Sequence, residues 1–158
     1  MTEMKPGIER VISVNMNLLR DCYYIVDQTR PGDAMALYAT LRDDVEKRGH
    51  IMFVFNGAAF PLGFIKGQIL RRPDFKNDAQ SLIQAKADML YVDKKYQNNG
   101  IGQSLLRAYE DYCAQNGVGQ IVLYSAPTQQ ALRFYAKNGY ECVNNNYLMR
   151  QNLNLHGR

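Results

Sequence analysis

Hydrophobic residues recur along this chain in two ways, at every third or fourth position in some stretches and in short apolar runs in others. Stripes with the helical spacing predict helices over residues 18–26, 34–47, 100–116 and 127–138. Apolar runs predict strands over residues 8–14, 51–55, 60–70, 81–92, 121–124, 141–143 and 147–151. The resulting order, β-α-α-β-β-β-α-β-α-β-β, predicts an α/β protein built around one mixed sheet.

Composition narrows the class of protein. A chain of 158 residues, 46% hydrophobic and 22% charged, is typical of one soluble globular domain, here residues 1–158. The net charge is +4, but the basic residues are scattered, and the longest clusters are the pairs Arg71-Arg72 and Lys94-Lys95. Scattered charge argues against a nucleic-acid partner, whereas a mild positive excess suits an anionic small molecule.

The termini and the cysteines predict the compartment. Residues 1–10 lack the apolar core of a signal peptide, and no apolar run is long enough to cross a membrane. Cys22, Cys113 and Cys142 are odd in number and have no metal-binding spacing, so we expect reduced, mostly buried thiols and no metal. These features predict a cytoplasmic protein.

The most informative segment runs from Ala87 to Gly102. A strand-like stretch enters a polar loop, and the loop opens into a helix at Gly100-Ile101-Gly102. Free backbone N–H groups at such a helix start bind phosphate, so the order predicts a phosphate-carrying cofactor, while a simple glycine turn is the alternative. Gly117-Val118-Gly119 lacks this geometry because it follows a helix. The dinucleotide and P-loop motifs are both incomplete here.

Two motifs together resemble the GCN5-related N-acetyltransferase (GNAT) superfamily. Residues 97–102, Gln-Asn-Asn-Gly-Ile-Gly, match its acyl-CoA signature Gln/Arg-x-x-Gly-x-Gly/Ala, and residues 131–140 resemble its C-terminal pattern of an alanine, Phe-Tyr and Gly-aromatic. The resemblance covers an acyl-CoA-binding core of about residues 86–149. It implies a single-domain α+β fold with a mixed, mostly antiparallel sheet flanked by helices. It also implies transfer of an acetyl group from acetyl-CoA to an amine.

The same resemblance implies a set of cofactor-binding residues. The backbone of Leu90, Tyr91 and Val92 would pair with the pantetheine arm. Main-chain amides would bind the pyrophosphate along Gln97, Asn98, Asn99, Gly100, Ile101, Gly102, Gln103 and Ser104. Thr128 stands where the family usually has asparagine, so its hydroxyl either contacts pantetheine or only caps a helix. Lys94 and Lys95 either approach the 3′-phosphate or are solvated loop charges.

Two catalytic residues follow from the resemblance. Tyr135 matches the family tyrosine that protonates the departing thiolate, and packing in the core is the alternative for this side chain. Asp88 lies where relatives carry a carboxylate that acts as a base through water, and an ion-paired carboxylate is the alternative. Direct attack of the amine on the thioester is expected, because the cysteines have no recognisable histidine partner.

The acceptor is not identified by the sequence. The family's acceptor region would include Tyr23, Tyr24, Asp27, Asp33, Asp43, Asp44 and the loop 71–78. The carboxylates would attract a cationic amine, although exposed helix charges are the commoner explanation for such residues. A metabolite or polyamine, a drug-like amine and a peptide amine remain open as acceptors. A homodimer, and a catalytically silent acyl-CoA sensor of the same fold, are also open.

Overall fold

A computed structural model describes residues 7–70, 83–143 and 147–153 of the chain. The described strands are β1 (Gly7–Arg10), β2 (His50–Asn56), β3 (Pro61–Leu70), β4 (Gln84–Val92), β5 (Gln120–Tyr124), β6 (Glu141–Cys142) and β7 (Leu148–Asn152). The described helices are α1 (Met16–Asp27), α2 (Pro31–Glu46), α3 (Ile101–Gln115) and α4 (Gln129–Lys137), with a short 3-10 turn at Lys94–Tyr96.

The described strands form one sheet in the order β1-β2-β3-β4-β5-β7-β6. β4 and β5 run parallel, whereas β1 pairs with β2, and β7 with both β5 and β6, in antiparallel fashion. The connection between β4 and β5 contains α3, as a parallel crossover requires. The predicted element order and the mixed, mostly antiparallel α+β fold are confirmed.

The first strand is shorter than the sequence predicts. It ends at Arg10, although the apolar pattern extends to Val14. The Val11 N–H still donates to the Met52 carbonyl of β2 at 2.9 Å, and Val11 and Val14 are both buried in the core beyond the end of the strand. Asn15 then caps α1, and its Oδ1 accepts a hydrogen bond of 2.8 Å from the Leu18 N–H. The helix therefore begins two residues before the start predicted from the apolar stripe.

The chain divides into two compact units. The first unit comprises the described parts of Met1–Lys66 and Met89–Tyr109, and the second unit those of Gly67–Asp88 and Glu110–Arg158. The single-domain organisation therefore stays a prediction.

The core of the first unit is formed by one face each of α1 and α2 packed on strand residues. Its members are Val11, Val14, Leu19, Cys22, Ile25, Val26, Ala34, Leu37, Leu41, Val45, Met52, Val54 and Phe64. The helical members recur at three- and four-residue spacing, which is why the sequence pattern located both helices.

His50 lies half-buried at the start of β2 and titrates unusually. Neither ring nitrogen has a hydrogen-bond partner within the described part of the chain. Burial, reinforced by the positive charge of the buried Lys66, lowers the pKa of His50 from 6.5 to about 4, although Asp44 opposes the shift.

This shift predicts acid sensitivity. Because the unfolded chain binds a proton near pH 6.5 and the folded chain only near pH 4, stability falls as the pH decreases through this window. Allowing for solvent screening at this half-exposed site, we expect a loss of about 1–2 kcal/mol. Urea denaturation of the wild type and of His50→Gln at pH 7 and pH 4.5 measures it. Equal losses in both proteins would contradict the assignment to His50.

Candidate functional site

The loop that follows β4 in the first unit is held by its own hydrogen bonds. The Asp93 N–H donates to the Leu62 carbonyl at 2.8 Å, and Asp93 Oδ1 accepts from the Lys95 N–H at 3.0 Å. The Tyr96 N–H donates to the Asp93 carbonyl at 2.8 Å, closing the 3-10 turn. This turn sets the position at which the next segment begins.

The polar side chains after the turn bond to carbonyl oxygens. Gln97 Nε2 donates to the Val92 carbonyl at 3.2 Å, and Asn99 Nδ2 donates to the Tyr96 carbonyl at 3.2 Å. Ser104 donates to the Gly100 carbonyl through both its Oγ and its N–H, each at 3.0 Å. The Ser104 N–H is thus already used inside the helix, so Ser104 differs from the other residues predicted to present amides.

The backbone N–H groups just before Ser104 have no such partner. From Gln97 to Gln103, none donates to a protein acceptor within the described ranges. Asn98 (φ 67°) and Gly100 (φ 80°) adopt the left-handed conformation, and no acidic side chain lies in the first turn of α3. Successive N–H groups in such a turn, joined to the positive end of a helix dipole, form a concave site for an anion.

Two glycines in this part of the first unit are needed for different reasons, one for its backbone conformation and one for close packing. Nothing lies within 4 Å of the position a Cβ would take at Gly100, so this residue is needed for its backbone conformation and faces open space. At Gly63 in β3, an added Cβ would lie 2.8 Å from the Tyr91 carbonyl oxygen. Gly63 thus permits the close approach of β3 to β4, a role that the sequence pattern did not reveal.

The C-terminal part of β4 extends beyond its pairing with β5. Their register runs from Gln84↔Gln120 to Ala87↔Leu123, so the predicted pantetheine residues Leu90, Tyr91 and Val92 follow that ladder.

The Tyr91 side chain is fully engaged in the first unit. Its Oη donates to Asp33 Oδ2 at 3.1 Å, and its ring lies 6.1 Å from that of Phe64. Burial and the Asp33 carboxylate raise the pKa of Tyr91 to about 12. Asp33, predicted as an acceptor residue, thus ties the first turn of α2 to β4.

In the second unit, Thr128 caps α4. Its Oγ1 accepts a hydrogen bond of 3.2 Å from the Ala131 N–H, which is the capping alternative that the sequence left open. The hydroxyl hydrogen is not used by this bond, so a contact with pantetheine remains a prediction.

Tyr135 lies on α4, half-buried between two other aromatic rings. Its ring packs edge-on against Phe134, with centroids 5.2 Å apart, and against Tyr140, with centroids 5.8 Å apart. The rings fix the plane of the phenol by contacts that do not need the hydroxyl group.

A buried carboxylate supports this aromatic group. Glu110 is only 4% exposed, and its Oε2 accepts hydrogen bonds from Tyr140 Oη at 2.8 Å and from Gln151 Nε2 at 3.3 Å. Burial and this carboxylate raise the pKa of Tyr140 well above its usual range. Glu110 was not predicted from the sequence, although its spacing from Leu106 and Cys113 places it on the buried face of α3.

Asp88, the predicted base, forms an ion pair. Its Oδ1 lies 3.6 Å from Lys86 Nζ, and that ammonium lies 5.7 Å from the centre of the Tyr124 ring. The ion-paired alternative is therefore present in the structure, and the role of Asp88 as a base stays a prediction.

The three cysteines differ in burial. Cys22 and Cys113 are buried, and Cys142 is exposed. Burial raises the pKa of both buried thiols to about 12, helped by Asp21 near Cys22 and by Glu110 near Cys113. Protonated thiols are poor nucleophiles, which disfavours a covalent acyl-cysteine at either buried position.

The predicted acceptor residues have varied surroundings in the first unit. The Tyr23 ring packs edge-on against those of Tyr24 and Tyr38, and its Oη donates to Met35 Sδ at 3.7 Å. Although partial burial opposes it, hydrogen bonds from Lys47 and Thr40 lower the pKa of Asp44. The remaining predicted carboxylates on these helices, Asp27 and Asp43, are exposed. The predicted acceptor loop 71–78 lies outside the described residues.

Lys94 and Lys95 are both exposed, just before the loop of residues 97–103. The Lys94 N–H donates to Gln28 Oε1 at 3.0 Å, which anchors the backbone rather than the ammonium group. Their role toward a 3′-phosphate stays a prediction. Within residues 7–70, 83–143 and 147–153, no helix combines the length and the apolar character needed to cross a membrane.

Comparison with known proteins gives a family match. The model of the acetyltransferase (GNAT) family matches residues 13–140. No curated protein sequence matches the chain.

Several solved structures share the fold. The PaiA N-acetyltransferase of Thermoplasma acidophilum, in complex with coenzyme A, is 16% identical with a TM-score of 0.69, covering 93% of this chain and 99% of its own. An aminoglycoside 6′-N-acetyltransferase complexed with coenzyme A is 17% identical with a TM-score of 0.73, covering 96% and 98%. Arabidopsis thaliana NAA60, in complex with a bisubstrate analogue, is 17% identical with a TM-score of 0.70, covering 93% and 99%.

Proposed function

Because the chain belongs to the acetyltransferase (GNAT) family and is an acetyl-CoA-dependent N-acetyltransferase, we propose that it transfers the acetyl group directly to a primary amine. The observation that carries the proposal is the run of N–H groups from Gln97 to Gln103 that have no acceptor among the residues the structure describes. A diphosphate is the group of acetyl-CoA that such a run binds best, since it offers several anionic oxygens to converging donors.

The donor-binding roles follow from the geometry of each residue. The amides of residues 97–103 bind the diphosphate, while Ser104 supports them by fixing the Gly100 carbonyl. The backbone of Leu90, Tyr91 and Val92 pairs with the amides of pantetheine. Thr128 donates its free hydroxyl hydrogen to a pantetheine carbonyl while its oxygen caps α4.

The reaction requires two proton movements. Asp88, acting through a water molecule, takes a proton from the amine, whose nitrogen then attacks the thioester carbon. A main-chain N–H near Val92 polarises the thioester carbonyl. As the new C–N bond forms and the C–S bond breaks, Tyr135 donates its phenolic proton to the departing thiolate, because a phenol is protonated at neutral pH.

The class of acceptor stays open among a small metabolite or polyamine, a drug-like amine and a peptide amine. We infer a cytoplasmic location from the two buried thiols, Cys22 and Cys113. The protein acts as a monomer or a homodimer.

The proposal is tested by measuring release of coenzyme A with a thiol reagent. The purified protein is given acetyl-CoA together with spermidine, an aminoglycoside or a lysine-containing peptide. We expect amine-dependent release of coenzyme A with at least one class, accompanied by an acetylated amine in the mass spectrum. Tight binding of acetyl-CoA without release for every amine would instead favour the silent sensor.

A further inference from the structure

The end of α4, in the second unit, ties the proposed acid Tyr135 to the residues that follow the helix. The Tyr140 N–H donates to the Tyr135 carbonyl at 2.9 Å, and the Gly139 N–H donates to the Ala136 carbonyl at 3.1 Å. With Gly139 in the left-handed conformation at a φ of 92°, these two bonds form a Schellman motif. In this motif the residue after the glycine packs on the residue that accepts its N–H, and the ring centroids of Tyr140 and Tyr135 accordingly lie 5.8 Å apart. The placement of the Tyr135 ring thus depends on Tyr140.

Tyr140 is anchored from another element, by a carboxylate on α3. Its hydroxyl donates to Glu110 Oε2 at 2.8 Å, and Tyr140 and Glu110 are only 3% and 4% exposed. A hydrogen bond to a charged acceptor away from water is short and strong, so it restricts the motion of the Tyr140 side chain. Glu110 thus fixes one end of the ring that packs against Tyr135.

The carboxylate of Glu110 is itself held from β7. Gln151 Nε2 donates to Glu110 Oε2 at 3.3 Å. A Cβ added at Gly139 would collide with Gln151 Oε1, so the glycine that ends α4 also makes room for this amide. Groups from α3, from β7 and from the segment after α4 therefore meet at one buried carboxylate.

The two packed phenols differ in what they can reach. Tyr140 is buried and directs its proton to Glu110, and burial together with this carboxylate raises the pKa of Tyr140, which keeps its hydroxyl a donor. Tyr135 is half-buried, so part of its side chain is accessible to a ligand. Because a misplacement of about 1 Å can cost about 100-fold in rate, a general acid at Tyr135 needs a rigid support.

We propose that Glu110 is a positioning residue for acetyl transfer. It holds Tyr140, and Tyr140 holds the Tyr135 phenol in the orientation that protonates the departing thiolate. This role of Glu110 rests on the proposed function, in which Tyr135 is the acid. Burying a carboxylate is unfavourable for stability, so the orientation of its partners is the better reason for having one here.

The test measures steady-state kinetics of three variants with a productive amine. Glu110→Leu removes the acceptor of the Tyr140 hydroxyl, and kcat should fall about tenfold while the KM for acetyl-CoA changes less than about twofold. Tyr140→Phe removes the donor of the same hydrogen bond and should lower kcat about fivefold. Glu110→Gln keeps an acceptor oxygen, so its kcat should stay within about threefold of the wild type.

A double-mutant cycle with Tyr135→Phe separates positioning from a purely structural role. In the Tyr135→Phe background, Glu110→Leu should lower kcat less than about twofold further, because the hydroxyl that it positions is already absent. Val118→Ala, which truncates a buried side chain elsewhere in the second unit, is the stability control. It should lower the melting temperature but leave kcat at 25 °C unchanged.

The outcomes that overturn this role are distinct from failure of the proposed function. Wild-type kcat in Glu110→Leu and Tyr140→Phe, while Tyr135→Phe is slow, would overturn the role of Glu110 alone, as would an equal loss from Glu110→Leu in both backgrounds. Full turnover in Tyr135→Phe would remove the acid and with it this role. If a thermal melt shows that Glu110→Leu does not fold, Tyr140→Phe takes its place in the cycle.

Discussion

Replacing Gly100 by aspartate is expected to weaken the binding of coenzyme A at least about 100-fold. Two like charges about 4 Å apart near a protein surface repel by about 4 kcal/mol, and a carboxylate at this position would lie among the N–H groups that we assign to the diphosphate. The fold should survive, because no atom lies within 4 Å of the added Cβ and the loop is exposed. Isothermal titration calorimetry measures the dissociation constant.

Two matched variants separate charge from backbone strain. Gly100→Asn introduces a side chain of the same size into the same left-handed conformation without the charge, so binding should weaken by less than about tenfold. Gly117→Asp places aspartate beyond the end of α3, at a φ of 79° that nearly equals that of Gly100. An added Cβ there also has no atom within 4 Å. This variant should bind coenzyme A like the wild type. If Gly100→Asp also binds like the wild type, the loop is not the diphosphate site.

Replacing Tyr135 by phenylalanine is expected to lower kcat about 100-fold, which is the usual contribution of a general acid. The KM for acetyl-CoA should change less than about twofold, because a group that acts on the departing thiolate contributes mainly in the transition state. The variant keeps the aromatic ring and with it the contacts with Phe134 and Tyr140. Steady-state kinetics with a productive amine, together with a thermal melt, measure the effect.

Tyr140→Phe is the control for this variant, because it removes a hydroxyl from the neighbouring ring of the same group. It loses the 2.8 Å hydrogen bond to the buried Glu110, so it should cost about 1–3 kcal/mol of stability. Its kcat should fall far less than that of Tyr135→Phe. Full turnover in Tyr135→Phe, or equal losses of kcat in both variants, would remove Tyr135 as the acid.

The fold was largely predictable because its elements carry regular patterns. The spacing of Leu37, Leu41 and Val45 located α2, since each of these residues is buried in the first unit. The apolar pattern predicted too long a first strand. Buried residues such as Val11 and Val14 give the same pattern in the sequence whether or not they belong to a strand. A hydrophobic pattern indicates which residues are buried, but not where one element ends and the next begins. Here the end of the strand region is set by Asn15, which caps the first turn of α1.

The candidate site was predictable where it depends on the backbone and less so where it depends on side-chain partners. The order of strand, loop and glycine predicted free N–H groups near Gly100, since helix starts leave such groups unpaired whatever the side chains are. By contrast, the contacts of Tyr91 with Asp33 and of Tyr140 with Glu110 join residues 58 and 30 positions apart. One sequence carries no signal for such pairs, so neither the hydrogen bond between Tyr91 and Asp33 nor the one between Tyr140 and Glu110 was predicted.

The most direct measurement follows the amide signals of Gln97–Gln103 by NMR during titration with coenzyme A and, separately, with pantetheine, which lacks the diphosphate. Coenzyme A should move these signals downfield, because new hydrogen bonds to anionic oxygens form, whereas pantetheine should leave them in place. Saturation with coenzyme A while all of these signals stay unchanged would contradict this prediction.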